Sequence, residues 1–229
     1  SKYAQSEALA GIAECKMGLA AIVARQTRSG YADSIVVQLK KEASECFSQR
    51  KTLSMTLGHF DEACRADIQL GLLFQSTGEN KKATESLRSA VLLATTTRCS
   101  RSVMLDALVE YGQHALRTLL DGGDGHAHLE RAVSCAKDLG RQDILCEVLQ
   151  IIGRWEHRKG HVHSALARAK ESVGLAISCG DPARISGASC LEGMCHLSLN
   201  DIGAAVVCFK RQNISTKVAG DQVGRTQAL

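Results

Sequence analysis

The chain has 229 residues, 45% of them apolar and 3% aromatic, with a single proline, Pro182, and a net charge of +4. That composition can bury a substantial core and excludes a disordered chain, and no apolar run reaches the roughly 18 residues that a membrane-spanning helix requires. The mild basicity gives a weak preference for acidic partners and no strong case for nucleic acid.

The first 58 residues read as a long helix from about Ala4 to Gln26 and a second from about Asp33 to Leu57, with Ser29-Gly30-Tyr31 as the turn. Gly58 closes this pair, which is expected to be an elongated or degenerate capping unit over 1–58. The chain begins with Ser1, not methionine, and shows no signal peptide, so the expectation is a piece of a longer protein.

From residue 59 onward a period near 40 takes over. Gly71, Gly112, Gly153 and Gly193 are separated by 41, 41 and 40 residues. Gly140, Gly180 and Gly220 form a second series, expected to end the repeats, and Gly78, Gly160 and Asn200 a third, expected at the inner turns, with a looser match at Asp121–Gly125. Together they divide 59–229 into segments 59–99, 100–140, 141–180 and 181–220, with the start of a further helix at 221–229. Ala83, Ala165 and Ala205 each follow one of the glycines by 12 residues. Leu87 and Phe209 supply a large apolar residue four positions later, where the third repeat has Ala169, and in 100–140 the alanine position slips to Leu129. Leu87, Ala90, Val91 and Ala94 keep helical spacing. Gly180-Asp181-Pro182 reads as a left-handed C-cap glycine, an N-cap aspartate and a proline at the first helical position.

This pattern of small residue, alanine and large apolar residue resembles the tetratricopeptide repeat. The resemblance covers about 58–229 and implies an all-α fold, a right-handed α–α superhelix of antiparallel helix pairs. The small residues then sit where the two helices of a repeat cross, a place a bulky side chain would force apart. The period exceeds the usual value of about 34 and is similar to the long-repeat branch seen in Pins/LGN-type polarity adaptors, rapsyn and kinesin light chains.

In that family ligands lie along the inner face of the first helices, at −3, +1, +4 and +5 from the small residue. Carried onto this chain, those positions nominate Gln113, Arg117, Gln150, Arg154, His157, Arg158, Met194 and Leu197 as the partner-binding groove. Its middle would be basic and polar, suited to an acidic peptide or helix with an apolar anchor. Trp155, the one tryptophan, is expected to pack against the neighbouring repeat.

The remaining chemistry-bearing residues point away from catalysis. The ten cysteines include no CxxC pair and mostly sit among apolar residues, as small buried hydrophobes in a reducing, cytoplasmic compartment would. His157, His161 and His163 cluster, but Lys159-Gly160 reads as a turn that breaks their helical spacing, so no metal and no cofactor are expected. Gly122-Gly123-Asp124-Gly125 lacks the Lys-Ser/Thr of a phosphate loop, and no nucleophile elbow or dinucleotide fingerprint occurs. The expected function is a non-enzymatic protein-interaction scaffold or adaptor. The alternative is a structural subunit of a cytoskeletal, ciliary or ribonucleoprotein assembly. An RNA-reading repeat is disfavoured because Gln113, Arg154 and Met194 form no side-chain code.

Overall fold

The computed structural model describes residues 2–26, 30–118 and 124–227, with side chains over 2–25, 33–118 and 124–220. Among the described residues there are ten α-helices and no strand. They are α1 (Lys2–Gln26), α2 (Gly30–Leu57), α3 (Phe60–Ser76), α4 (Asn80–Thr96) and α5 (Arg101–Thr118), then α6 (Gly125–Asp138), α7 (Gln142–Arg158), α8 (Val162–Ser178), α9 (Pro182–Ser198) and α10 (Ile202–Gln227). The chain forms two compact units, Ser1–Thr118 and Leu119–Leu229. In each, consecutive helices pack on one another, and the first helices of neighbouring repeats also touch, α3 with α5 and α7 with α9. This is a fold of stacked helix pairs of the tetratricopeptide type.

The period has a plain structural origin. Helices α3, α4, α7, α8 and α9 are each 17 residues long. Those of the second unit are joined by three-residue turns, so α7, α8, α9 and α10 begin at 142, 162, 182 and 202. Each turn is a Schellman motif. Gly78, Gly140, Gly160 and Gly180 take φ of +77°, +65°, +85° and +64°, and Asn200 takes the same role at +60°. The residue after each donates to the carbonyl five positions back, as in Glu79 N to Phe74 O at 2.9 Å and His161 N to Glu156 O at 2.9 Å. Gly58 ends α2 in the same way, with φ +73° and His59 N bonded to Ser54 O at 2.9 Å. Asp181 caps α9 as its sequence indicates, accepting from the backbone N–H of Ala183 at 2.9 Å and of Arg184 at 3.1 Å.

One expectation is corrected. Gly220 ends no repeat: α10 continues as one helix from Ile202 to Gln227, so no separate helix starts at 221. A glycine permits a left-handed turn without enforcing one, and here the intrahelical ladder carries on. The α1–α2 pair of residues 1–58 shares a compact unit with α3–α5, and α2 packs against α3. The expected inner turn at Asp121–Gly125 lies mostly outside the described residues; Gly125 opens α6.

The core follows the repeat. Ala83, Ala165 and Leu129 are fully buried, and Ala205 nearly so. A methyl group on Gly71 would come 2.4 Å from Leu87 Cγ, and one on Gly193 would come 2.8 Å from the Phe209 ring. Glycine at these positions lets the paired helices approach until the large residue fills the gap. In the third repeat the place of that large residue belongs to Ala169. The neighbour of Gly153 is instead Leu191 of α9, whose Cδ2 would lie 2.9 Å from an added methyl. Ala165, Ala169, Leu191 and Cys195 form one cluster there, so the following helix supplies the volume that the small residue leaves open.

Candidate interaction surfaces

The second unit holds most of the nominated groove residues, on the facing first helices α7 and α9. They divide into two groups. Gln150 is buried, 8% exposed, and its amide nitrogen donates to Cys146 Sγ at 3.5 Å. Its carbonyl oxygen accepts from Arg154 at 3.4 Å and would lie 2.6 Å from a methyl on Gly187. Gln150 therefore seals the α7–α9 contact against a bare stretch of backbone, and burial removes it from a partner's reach. His157 is half-buried and shares a 2.9 Å hydrogen bond with Ser198 Oγ, a second tie between the same helices. Met194 packs against the Ala165–Leu191 cluster. The second group faces solvent: Arg154, Arg158 and Leu197, the last 46% exposed.

In the first unit, Gln113 is half-buried and Arg117 exposed on α5, where Arg117 Nε donates to the Gln113 carbonyl at 3.3 Å. The apolar neighbours at the equivalent positions, Val109 and Leu116, are buried. Beside them His114 is 2% exposed and hydrogen-bonded through Nε2 to Thr84 Oγ1 at 2.9 Å. Burial pulls its pKa below the usual imidazole value, Asn80 opposes the shift through a backbone hydrogen bond, and Arg117 adds to it.

Trp155 packs as its position suggests. Its ring lies against His126 of α6, centroids 4.8 Å apart at 33°, with Lys159 Nζ 5.9 Å from the ring centre. The histidine series is broken by Gly160 in the turn after α7, and His161 and His163 are exposed at the N-cap and in the first turn of α8.

A polar cluster in the last helix pair escaped the sequence reading. Glu192 occupies the position where the earlier repeats place buried Leu70 and Ile152, and that departure from the apolar pattern is the signal that could have revealed it. Glu192, His196 and Cys208 bring their ligand-type atoms within 4.8 Å of one another. Arg211 already occupies this space. It pairs with Glu192, donates to Ser189 Oγ at 2.8 Å and lies 3.8 Å from Cys208 Sγ. Burial, reinforced by the Glu192 charge, pushes the Cys208 thiol up. A guanidinium beside a protonated thiol works against a bound cation, and the group reads as a half-buried ion pair with its polar surroundings.

The cysteines are free thiols, five of them buried, three half-buried, and Cys15 and Cys179 exposed. Burial raises Cys64 to about 12 and Cys195 to about 11, so both are inert as nucleophiles.

No family model matches the chain, and no curated protein does. Solved structures do. BtubC (BKLC) from P. vanneervenii is similar at 13% identity and a TM-score of 0.67, over 96% of this chain and 92% of that one. Aspartyl phosphate phosphatase F from Bacillus subtilis is similar at 13% identity and a TM-score of 0.68, over 87% of this chain and 58% of that one. MamA is similar at 14% identity and a TM-score of 0.60, over 85% of this chain and 99% of that one. All three are helical repeat proteins of the tetratricopeptide type, and at such identities the likeness is one of fold.

Proposed function

We propose that the chain is a protein-interaction scaffold that acts by binding and catalyses nothing. The observation that carries this reading is the α7–α9 face. Of its inner residues, Gln150 and His157 tie the two helices together and Met194 packs against the α8–α9 cluster, while the outer ones, Arg154, Arg158 and Leu197, face solvent. Two guanidinium groups near an exposed leucine suit a peptide or helix that carries carboxylates and an apolar anchor. Arg117, with Gln113 beneath it, offers the same chemistry on α5 of the first unit. A solenoid of stacked pairs supports this use, because it exposes long faces and few deep polar pockets. The free, largely buried thiols fit a reducing, cytoplasmic setting. The long-repeat branch of the family is the one that the 20-residue helix-to-helix step favours.

The test is affinity capture with the full chain and with Arg154→Glu plus Arg158→Glu. Both side chains are exposed, so the fold should survive and partner recovery should fall about tenfold or more. Unchanged recovery with intact helicity would remove the α7–α9 face from the proposal. A second reading, a subunit held in a larger assembly, draws on α10, where Val207 and Ile214 are 63% and 65% exposed. It predicts self-association or precipitation of the isolated chain at high concentration, and a stable monomer by sedimentation counts against it.

A further inference from the structure

We propose that the cleft enclosed by α2, the end of α3 and the start of α4 is a second binding site, for an acidic peptide segment bearing one large apolar side chain. The inference rests on the scaffold reading for the class of ligand and on a different surface for the site.

The cleft encloses about 500 Å³, within the ~300–1,000 Å³ range of pockets that take a ligand. Its floor is Leu73 and Phe74 of α3, and one wall is Val37 of α2, which is 67% exposed. Most of the Val37 side chain faces water in the free protein, and covering it would remove apolar surface from water. Leu73 is 2% exposed and Phe74 half-buried, so the open part of the floor is the Phe74 side chain, beside the point where α3 ends at Ser76 and the Schellman turn at Gly78 carries the chain away.

The rim is cationic. Lys40 and Lys41 of α2 stand on one side and Lys82 of α4 on the other. Lys40 Nζ donates to the Ser76 carbonyl at 3.2 Å, which aims its ammonium across the mouth and leaves donors to spare. Lys82 Nζ lies 5.4 Å from the centre of the Phe74 ring, so the charge sits directly above the apolar floor. The one carboxylate among the lining residues, Glu79, is held by Lys82 at 2.6 Å and Thr77 at 2.9 Å. Three ammonium groups against one carboxylate leave a local charge of about +2 around an apolar pit. An acidic segment neutralises that rim, and a phenylalanine or leucine between its carboxylates fills the pit. A phosphate-rich ligand would use the rim and leave the floor wet, so it fits the site less well.

The experiment is fluorescence anisotropy with the full chain and three labelled synthetic peptides: one rich in Asp and Glu around a single Phe, one with Ser for the Phe, and one with Lys for the acidic residues. The first should bind, weaken about tenfold on Phe→Ser and weaken further with salt, and the basic peptide should not bind. Lys40→Glu plus Lys41→Glu should cost at least tenfold, as should Val37→Glu, with helicity unchanged by circular dichroism. Arg154→Glu plus Arg158→Glu should leave this binding intact. Equal affinity for the wild type and the Lys40/Lys41 variant, or no binding of the acidic peptide, overturns the site. If the Arg154/Arg158 variant alone loses the peptide, the cleft falls while the scaffold reading stands. If partner capture is indifferent to both variants, the scaffold reading falls with it.

Discussion

Single residues in this fold divide by what they must fit. Gly71 has Leu87 Cγ where a methyl would go, at 2.4 Å, and Leu87 is fully buried with no room to retreat. Gly71→Ala should therefore lower stability by about 1–3 kcal/mol in chemical denaturation. The cost should shrink on a Leu87→Ala background, because the two share one gap, and strictly additive losses would refute the contact. Gly153→Ala should cost less, since the atom in its way is a terminal methyl of Leu191 that can rotate aside. His114 makes the fold pH-dependent. Burial keeps its folded-state pKa below the unfolded value near 6.5, so the unfolded chain binds the extra proton first. Stability should be fully present above about pH 6.5 and fall as pH drops through that value toward the depressed folded-state pKa. His114→Gln, which can keep a bond to Thr84, should flatten the midpoint difference between pH 8 and pH 5.5. An equal slope in both proteins would assign the pH dependence elsewhere.

At the scale of elements, the turns determine the period. Gly160 and Gly180 hold φ of +85° and +64°, where an added Cβ meets no neighbouring atom, so substitution there tests backbone conformation alone. Gly160→Ala should cost about 1 kcal/mol and Asn200→Val more, because a β-branched residue at φ +60° is worse placed still. Gly220→Ala should behave in the opposite sense. It lies inside α10, so alanine should stabilise the helix by up to about 1 kcal/mol. A loss of stability at 220 would mean that the chain turns there after all. Six boundary residues, Gly58, Gly78, Gly140, Gly160, Gly180 and Asn200, were legible because left-handed C-caps select for glycine and asparagine. Gly220 was misread because the same residue type also tolerates a helix interior, and only the backbone distinguishes the two.

For the whole molecule, the thiols offer a global reading of packing. Cys15 and Cys179 are the exposed pair, while Cys64, Cys135, Cys146, Cys195 and Cys208 are buried. Titration with a thiol reagent should show two fast groups in the native protein and all ten after denaturation, and fast reaction of more than the three half-buried thiols besides would contradict the packing. The sequence alone determined the helical pairs, their period and their order. Small residues at crossing points and glycines at caps are local requirements that recur with the repeat, so they can be read without knowing what packs on what. Tertiary structure decided the rest. It buried Gln150 against Gly187, tied His157 to Ser198, filled the space above Ala169 with Leu191 and assembled Glu192, Cys208 and Arg211 into a polar cluster. It also opened the cleft lined by Lys40, Lys41 and Lys82. Each of these depends on residues that lie on different helices, and their meeting is fixed by how the helices pack, which no local pattern encodes.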